Sequence, residues 1–524
     1  MLITEILARN ARMYAAETAL VERHPANGVR REITWGAFDA QANRLARALM
    51  AKGIGKGDRV VQLMMNSLEW LPVYFGILRT GAWAVPLNFR FVAKTIGRCT
   101  RTAGARGIIF GPEFIERLQT LRNDPGFSLE FYIFIGPESL RPAWAESGTG
   151  LLAAHEPDDP RVPIEITDEA ALYFTSGTTG TPKATLLTHR NLEFACIQEN
   201  CHHRQTHEDN FLCIPPLYHT GAKMHWFGNF IVGARAVILR GIEPRWILEA
   251  ISEEKVTVVW LLVPWALDIL FAIESGDIKL RDFQLDQWRL MHIGAQPVPP
   301  SLIKEWQRIF PHHQYDTNYG LTETTGPGCV HLGIENMHKV GAIGRPGFDW
   351  EYRIVDDRQA PVPPGQPGEL MVKGPGVMKA YFGNPEATAQ VLVDGWLLTG
   401  DVARQDEDGF IWLVDRKKDV IITGGENIYP VEIEDFLQTH PAIQDVAVIG
   451  LPSLRLGEIA AAIIQLKPGR SLTREAVMVF CETLPRYKRP RQVIFGDVPR
   501  NPTGKIEKPK LRKKYAGMAE SFRL

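Results

Sequence analysis

The chain has 524 residues, 45% of them hydrophobic, with 59 Lys and Arg against 60 Asp and Glu. That length excludes a single ordinary domain and calls for two or more. A formal net charge of −1 excludes a global field that would gather nucleic acid or an anionic membrane, so any anion binding must be local.

The N-terminal stretch MLITEILARNARMYAAETAL has no long apolar core and does not read as a signal peptide. Beyond it, helix-like stretches such as TWGAFDAQANRLARALMAKG alternate with β-rich apolar runs, RVVQLMM, ARGIIF, VTVVWLLV and DVAVIGL. The alternation predicts an α/β fold of parallel sheets with crossover helices. Six cysteines, at 99, 196, 201, 213, 329 and 481, make no disulfide framework and suit a reducing cytoplasm.

Residues 173–183 read YFTSGTTGTPK. EAALYF before them predicts a strand, and HRNLEFACIQEN after them a helix. The loop between holds Gly177 and Gly180, which allow close backbone approach. Its backbone N–H groups, with Thr175, Ser176, Thr178 and Thr179 and the charge of Lys183, are the parts of a phosphate cradle. The GxxxxGK[ST] signature is absent, because Lys183 follows Pro182. A Ser/Thr/Gly linker is the alternative.

The following helix ends in CIQENCHHRQTH, which holds Cys196, Cys201, His202, His203 and His207. These are zinc-ligand types, but no second pair follows at finger spacing. An ordinary polar helix end is the preferred reading. The longest apolar run, Val256 to Ile273, is interrupted by Pro264 and Asp268 and predicts a buried strand followed by a helix, not a membrane span.

NYGLTETTG (318–326) offers an aromatic face, a hydroxyl and Glu323, a hard oxygen ligand suited to Mg²⁺ beside phosphates. GWLLTGD ends in Asp401, an acceptor for sugar hydroxyls, and DRKKD supplies Arg416, a rigid fork of donors. Near residue 415 the composition shifts, and a self-contained strand and helix set follows, closing on basic RYKRPRQ and GKIEKPKLRKKY. A large body and a smaller mobile lid fit ordinary domain sizes.

Together these motifs resemble the adenylate-forming enzymes: acyl-CoA synthetases, luciferases and peptide-synthetase adenylation domains. The resemblance spans nearly the whole chain and rests on YFTSGTTGTPK, PLYH (216–219), HIGAQPVP (292–299), NYGLTET, GELMVKGPGVMKAYFGNPEAT, DGWLLTGD, DRKKDVIITGGENIYPVEIE and PRNPTGK. It is nearest the bacterial fatty-acyl, aromatic-acyl and carnitine-type CoA ligases. Ala184 departs from the glycine usual after the loop lysine, a difference of one methyl group.

The resemblance implies an AMP-forming acyl-CoA ligase that uses ATP, CoA and Mg²⁺ on a carboxylic acid. It implies a large domain over 1–416 and a small α+β lid over 417–524, with Lys418 at the hinge. The loop from Thr175 to Lys183 is expected on the ATP phosphates. Gly294, Ala295 and Gln296 are expected at the adenine–acyl junction, and Tyr319 against the adenine. Thr322 is expected on the α-phosphate, Glu323 on Mg²⁺, and Asp401 and Arg416 on the ribose. Lys505 matches the adenylating lysine. Gly424 and Gly425 would let pantetheine pass, and Arg90, Tyr487, Arg489 and Arg491 match CoA-binding positions, with a solvated basic face as the alternative. His219 would gate the acyl tunnel or serve as a structural histidine. Trp226 and Trp260 would shorten that tunnel and favour short, medium-chain, cyclic or aromatic acids over long fatty acids, unless both pack elsewhere.

Two other readings stay open at this stage: an enzyme loading a carrier protein in trans, and a non-catalytic nucleotide-binding regulator. The expected partners are small molecules, with no nucleic acid and no integral membrane segment. The sequence is silent on whether the chain forms a homo-oligomer. PRNPTGK also resembles an acyltransferase target, so acylation of Lys505 would remove its charge and its activity.

Overall fold

The computed structural model describes residues 1–175, 182–294, 298–326, 328–423, 426–453, 455–501 and 506–516. Ser176 to Gly180 of the glycine loop, Ala295, Gln296, Gly424, Gly425 and Lys505 lie outside the described residues.

The fold is mixed α/β, with a large N-terminal domain of parallel sheets and a small C-terminal one. Among the described residues, one seven-stranded sheet runs in the order Gln314–Asp316, Leu290–Gly294, Val258–Leu262, Asn210–Cys213, Arg235–Leu239, Thr18–His24 and Val29–Thr34. Its neighbours are parallel up to the final antiparallel pair. A second sheet of eight centres on parallel Trp83–Pro86, Arg59–Leu63 and Gly107–Phe110. At one edge it adds the antiparallel pair Glu169–Thr175 and Lys183–Thr188, then Ala380–Tyr381. Strands buried on both faces explain the continuous apolar runs of the sequence.

The helices between the two sheets share one core. Trp35, Trp70, Tyr74, Phe75 and Trp226 are each under 2% exposed within it. The run from Val256 resolves as expected, into the buried strand Val258–Leu262 and the helix Val263–Glu274 with Pro264 in its first turn, where a missing N–H costs nothing. No helix among the described residues is long and apolar enough to cross a membrane.

An antiparallel sheet, Glu351–Val355, Gly368–Lys373, Trp396–Gln405 and Leu392–Val393 with Ile411–Arg416 alongside, leads to the C-terminal part. There the long hairpin Ile443–Ser453 and Gly457–Leu466 carries apolar clusters on both faces. These clusters begin at Ile421, whereas the large core ends at Ile411.

Candidate active site

The hairpin Glu169–Thr175 and Lys183–Thr188 brings Thr175 opposite Lys183, so both ends of the glycine loop leave the sheet together. The Lys183 ammonium lies 4.5 Å from the centre of the Tyr381 ring. Tyr381 is paired with Thr185 across the strands, and its hydroxyl donates to Glu323 Oε1 at 2.7 Å. A cation, an aromatic face and a carboxylate thus form one short chain. Burial raises the Tyr381 phenol above its usual range and Glu323 adds to this, so it remains a donor.

Glu323 sits in a 3₁₀ turn, Thr322–Thr324, pinned on one side by Met378 N–H donating to the Glu323 carbonyl at 2.8 Å. On the other side Thr325 Oγ1 donates to the Gly376 carbonyl at 2.6 Å. Thr322 and Glu323 are half-buried. Gly326 has φ +108°, and a Cβ there would stand 3.0 Å from the Thr220 backbone. That contact locks the turn against the start of the helix Thr220–Phe230.

His219 is the N-cap of that helix, its Nδ1 accepting from Gly221 N–H at 3.0 Å. The neutral ring then carries its proton on Nε2. Strand alternation separates the two residues before the turn: Asn318 faces His225 Nε2 at 2.9 Å, and Tyr319 donates to Asp401 Oδ2 at 2.6 Å. Asp401 is paired with Arg416 across the strands, and their side chains lie 3.7 Å apart. Arg416 is partly exposed, so its fork has donors left for a ligand. Tyr319 is 6% exposed, which leaves an edge rather than a face for a purine.

The structure separates the two tryptophans. Trp260 stacks on His225 at 4.8 Å, and its Nε1 lies 3.8 Å from where a Cβ on Gly294 would stand. Its ring also closes on Gly221. Trp226 instead packs on Phe227 and Phe230 at 5.7 and 5.0 Å, deep in the core.

The remaining positions are more scattered. Lys418 is exposed in the turn after Arg416, whose carbonyl accepts from Asp419 N–H at 2.8 Å. Arg512 pairs with Asp419 at 2.8 Å, and Asp415 accepts from Val431 N–H at 3.0 Å. The C-terminal part is therefore tied to both sides of that turn. Arg90 is exposed, its guanidinium 5.8 Å from the Phe89 ring centre. Tyr487 and Arg491 are exposed, while Arg489 donates to the Leu484 carbonyl at 2.9 Å.

The ordinary polar helix end expected at CIQENCHHRQTH needs correction. His207 is peripheral, stacked on Tyr14 and paired with Glu17 at 2.9 Å, but His203 is fully buried. Its Nε2 lies 2.7 Å from Asp316 Oδ2 and its Nδ1 2.9 Å from Glu199 Oε1. Burial pulls its pKa down, yet the two carboxylates outweigh this and hold it up at about 10. Burial lowers His292 to about 4, with His203 acting the same way. Glu199 and His203 stand four apart on one helix face, the only part of this cluster visible in sequence.

A protein-family model described as AMP-binding enzyme matches residues 7–382, and one for the AMP-binding enzyme C-terminal domain matches 432–505. The chain belongs to the AMP-binding enzyme family. A feruloyl-CoA synthase from an Amycolatopsis species is 33% identical, over 97% of this chain and 98% of its own. A long-chain-fatty-acid–CoA ligase from Mycobacterium tuberculosis is 33% identical, over 94% of each chain. The crystal structure of the anthranilate CoA ligase AuaEII with anthranoyl-AMP superposes with a TM-score of 0.90 at 26% identity, covering 100% of this chain and 98% of the other. This family member is an acid–thiol ligase that draws on ATP, CoA and Mg²⁺.

The residues present fit the metal. Glu323 spends Oε1 on Tyr381, and no bond among the described residues takes Oε2, which leaves a hard oxygen next to Tyr381 and the Lys183 cation on its ring.

Proposed function

We propose that this family member is an AMP-forming acyl-CoA ligase whose preferred acids are short, medium-chain, cyclic or aromatic, not long-chain. The observation that carries this is Trp260, wedged against His225, Gly221 and Gly294 where the acyl group meets the nucleotide. A rigid indole there would favour a compact acid and obstruct an extended one.

In the first half-reaction the carboxylate attacks the ATP α-phosphorus and pyrophosphate leaves. Two anions must be held together, which calls for cations and oriented donors. The loop from Thr175 to Lys183 would hold the outer phosphates, and Thr322 the α-phosphate. Glu323, fixed by Tyr381, would hold Mg²⁺, which withdraws charge from the leaving pyrophosphate when bound. Asp401 and Arg416 would hold the ribose, and Gly294, Ala295 and Gln296 with Tyr319 would flank the adenine. Lys505 would bridge carboxylate and α-phosphate.

In the second half-reaction the CoA thiol attacks the acyl carbonyl and AMP leaves. Rotation of residues 417–524 about Lys418 would withdraw Lys505 and bring Gly424 and Gly425 to the thiol path. The gap between the apolar cores at Ile411 and Ile421 supports a division there. Arg90, Tyr487 and Arg491 are exposed enough to meet the CoA nucleotide; Arg489, bonded to a carbonyl, is the weaker candidate. His219, with Nδ1 committed to its helix, would act at the tunnel mouth only through Nε2.

CoA-dependent AMP release across C2 to C16, cyclic and aromatic acids tests the substrate class. We expect compact acids to have the higher kcat/KM and Trp260→Ala to shift the preference toward longer chains; a wild-type optimum at C14–C16 would overturn the reading. Thioester formed only on a carrier protein would instead indicate a carrier-loading enzyme. Lys505→Ala is expected to lose about 10²–10³ in adenylation yet convert supplied acyl-AMP to thioester. Equal loss in both steps would refute the two-state lid.

A further inference from the structure

Behind the acyl junction lies a cluster that the reaction does not use. Glu199 and His203 come from the helix His189–His203, and His292 from the strand Leu290–Gly294. All three are fully buried. His203 Nδ1 lies 2.9 Å from Glu199 Oε1, and His292 Nδ1 lies 3.5 Å from the same oxygen. These approaches lack hydrogen-bond geometry. Among the described residues, both Glu199 oxygens, His203 Nδ1 and both nitrogens of His292 have no hydrogen-bond partner. A buried carboxylate with neither oxygen bonded is costly unless a cation faces it.

The far side of His203 decides its tautomer. Asp316 Oδ2 lies 2.7 Å from Nε2, and Asp316 Oδ1 is held by Gly333 N–H at 2.8 Å. Nε2–H therefore donates to Asp316, and the Nδ1 lone pair faces Glu199. A carboxylate behind a histidine, orienting its other nitrogen, is the usual support for a metal ligand. Two ligands each about 2.0–2.2 Å from a zinc ion lie roughly 2.9–3.5 Å apart at angles near 90–115°, which the two separations from Glu199 Oε1 match. The donor atoms of Glu199, His203 and His292 all fall within 4.8 Å of one another.

Charge leads to the same place. Glu199 and Asp316 carry two negative charges, and one divalent cation with neutral histidines balances them. In the metal-free chain a proton on His203 Nδ1 would offset only one. Ion binding would release that proton and form Zn–N and Zn–O bonds, with no redox change.

We propose that Glu199, His203 and His292 form a buried site for a zinc-class divalent cation, with Asp316 orienting His203 from behind. His225 is not a ligand, because its Nδ1 meets the Gly221 carbonyl and its Nε2 faces Asn318 at 2.9 Å. The fourth position falls to a water molecule. His292 stands two residues before Gly294 on the same strand face, so the ion would brace the strand that ends at the acyl junction. Its role there is positional.

The full-length chain, expressed with zinc or cobalt supplementation and freed of loose metal by gel filtration, tests this by elemental analysis and visible absorption. We expect one metal ion per chain and, with cobalt, the d–d bands of a low-coordinate N/O site. Glu199→Gln and His292→Asn should each lose the metal, Asp316→Asn should weaken retention about 10–100-fold, and His312→Asn, an exposed control, should keep it. Substoichiometric metal in the supplemented wild type would overturn the proposal. So would unchanged metal and unchanged cobalt bands in both ligand variants. The wild-type measurement needs no variant to fold.

Discussion

The helix Thr220–Phe230 divides two buried polar regions that solve the same problem in opposite ways. Residues 223 and 225 lie about 200° apart around it, so Lys223 and His225 face different neighbours. Lys223 is fully buried among Tyr74, Tyr173, Trp70 and Phe227, with its ammonium 4.5 and 4.8 Å from the first two ring centres. It donates to the Tyr173 hydroxyl, which in turn lies 2.9 Å from that of Tyr74. Burial pulls its pKa well down, and no carboxylate bonds to it among the described residues. On the His225 side, Glu199, His203 and Asp316 are just as buried but, in the metal-free chain, stay charged, because each has an opposite charge in reach. A lone buried charge is shed; a partnered one is kept, and removing one member strands the rest.

The largest expected effect tests the partnered side. In the metal-free chain His203→Leu leaves Glu199 and Asp316 as buried like charges, so unfolding in urea should show a loss of about 3–5 kcal/mol. A loss below about 1 kcal/mol would mean that the carboxylates are already protonated or solvated, and the contrast would fail.

Asp415 lies between the two extremes. It is 7% exposed, accepts from two backbone N–H groups, and has Lys508 and Glu434 nearby. Burial raises its pKa to about 6, only partly offset by Lys508. A carboxyl whose folded pKa exceeds its unfolded value near 3.9 binds its proton more tightly in the folded state. Its contribution to stability is therefore full below about pH 4, falls as pH rises to about 6, and is flat above. Relative to Asp415→Asn, the wild type should lose on the order of 2–3 kcal/mol across that window, read from denaturation midpoints at each pH. A pH-independent difference would show that its partners already balance it.

The smallest effect tests the lone side. Lys223→Met keeps the volume and the Tyr74–Tyr173 bond, so stability should change by about 1 kcal/mol or less. A loss comparable to that of His203→Leu would show that Lys223 is held charged by the aromatic faces, and the contrast would collapse.

Much of this was legible in the chain. Strand and helix alternation predicted parallel sheets because buried strands need apolar residues at every position. Pro264 split the long apolar run where the strand does give way to the helix. The ordered motifs identified the family because phosphate, ribose and metal binding each require particular side chains close to one another in sequence. The Lys183–Tyr381–Glu323 chain was less legible: its members lie in three separate segments, and only strand pairing brings them together.

Local chemistry, written in spacing and residue type, determined the family, the reaction class and the layered α/β build, since those depend on neighbours in the chain. Which tryptophan stands beside His225 and Gly294, which histidine is charged, and whether a buried cation keeps its proton were decided by tertiary structure alone. Those outcomes follow from desolvation and charge separation across elements more than a hundred residues apart, such as His203 and Asp316, and a linear pattern carries neither distance nor burial.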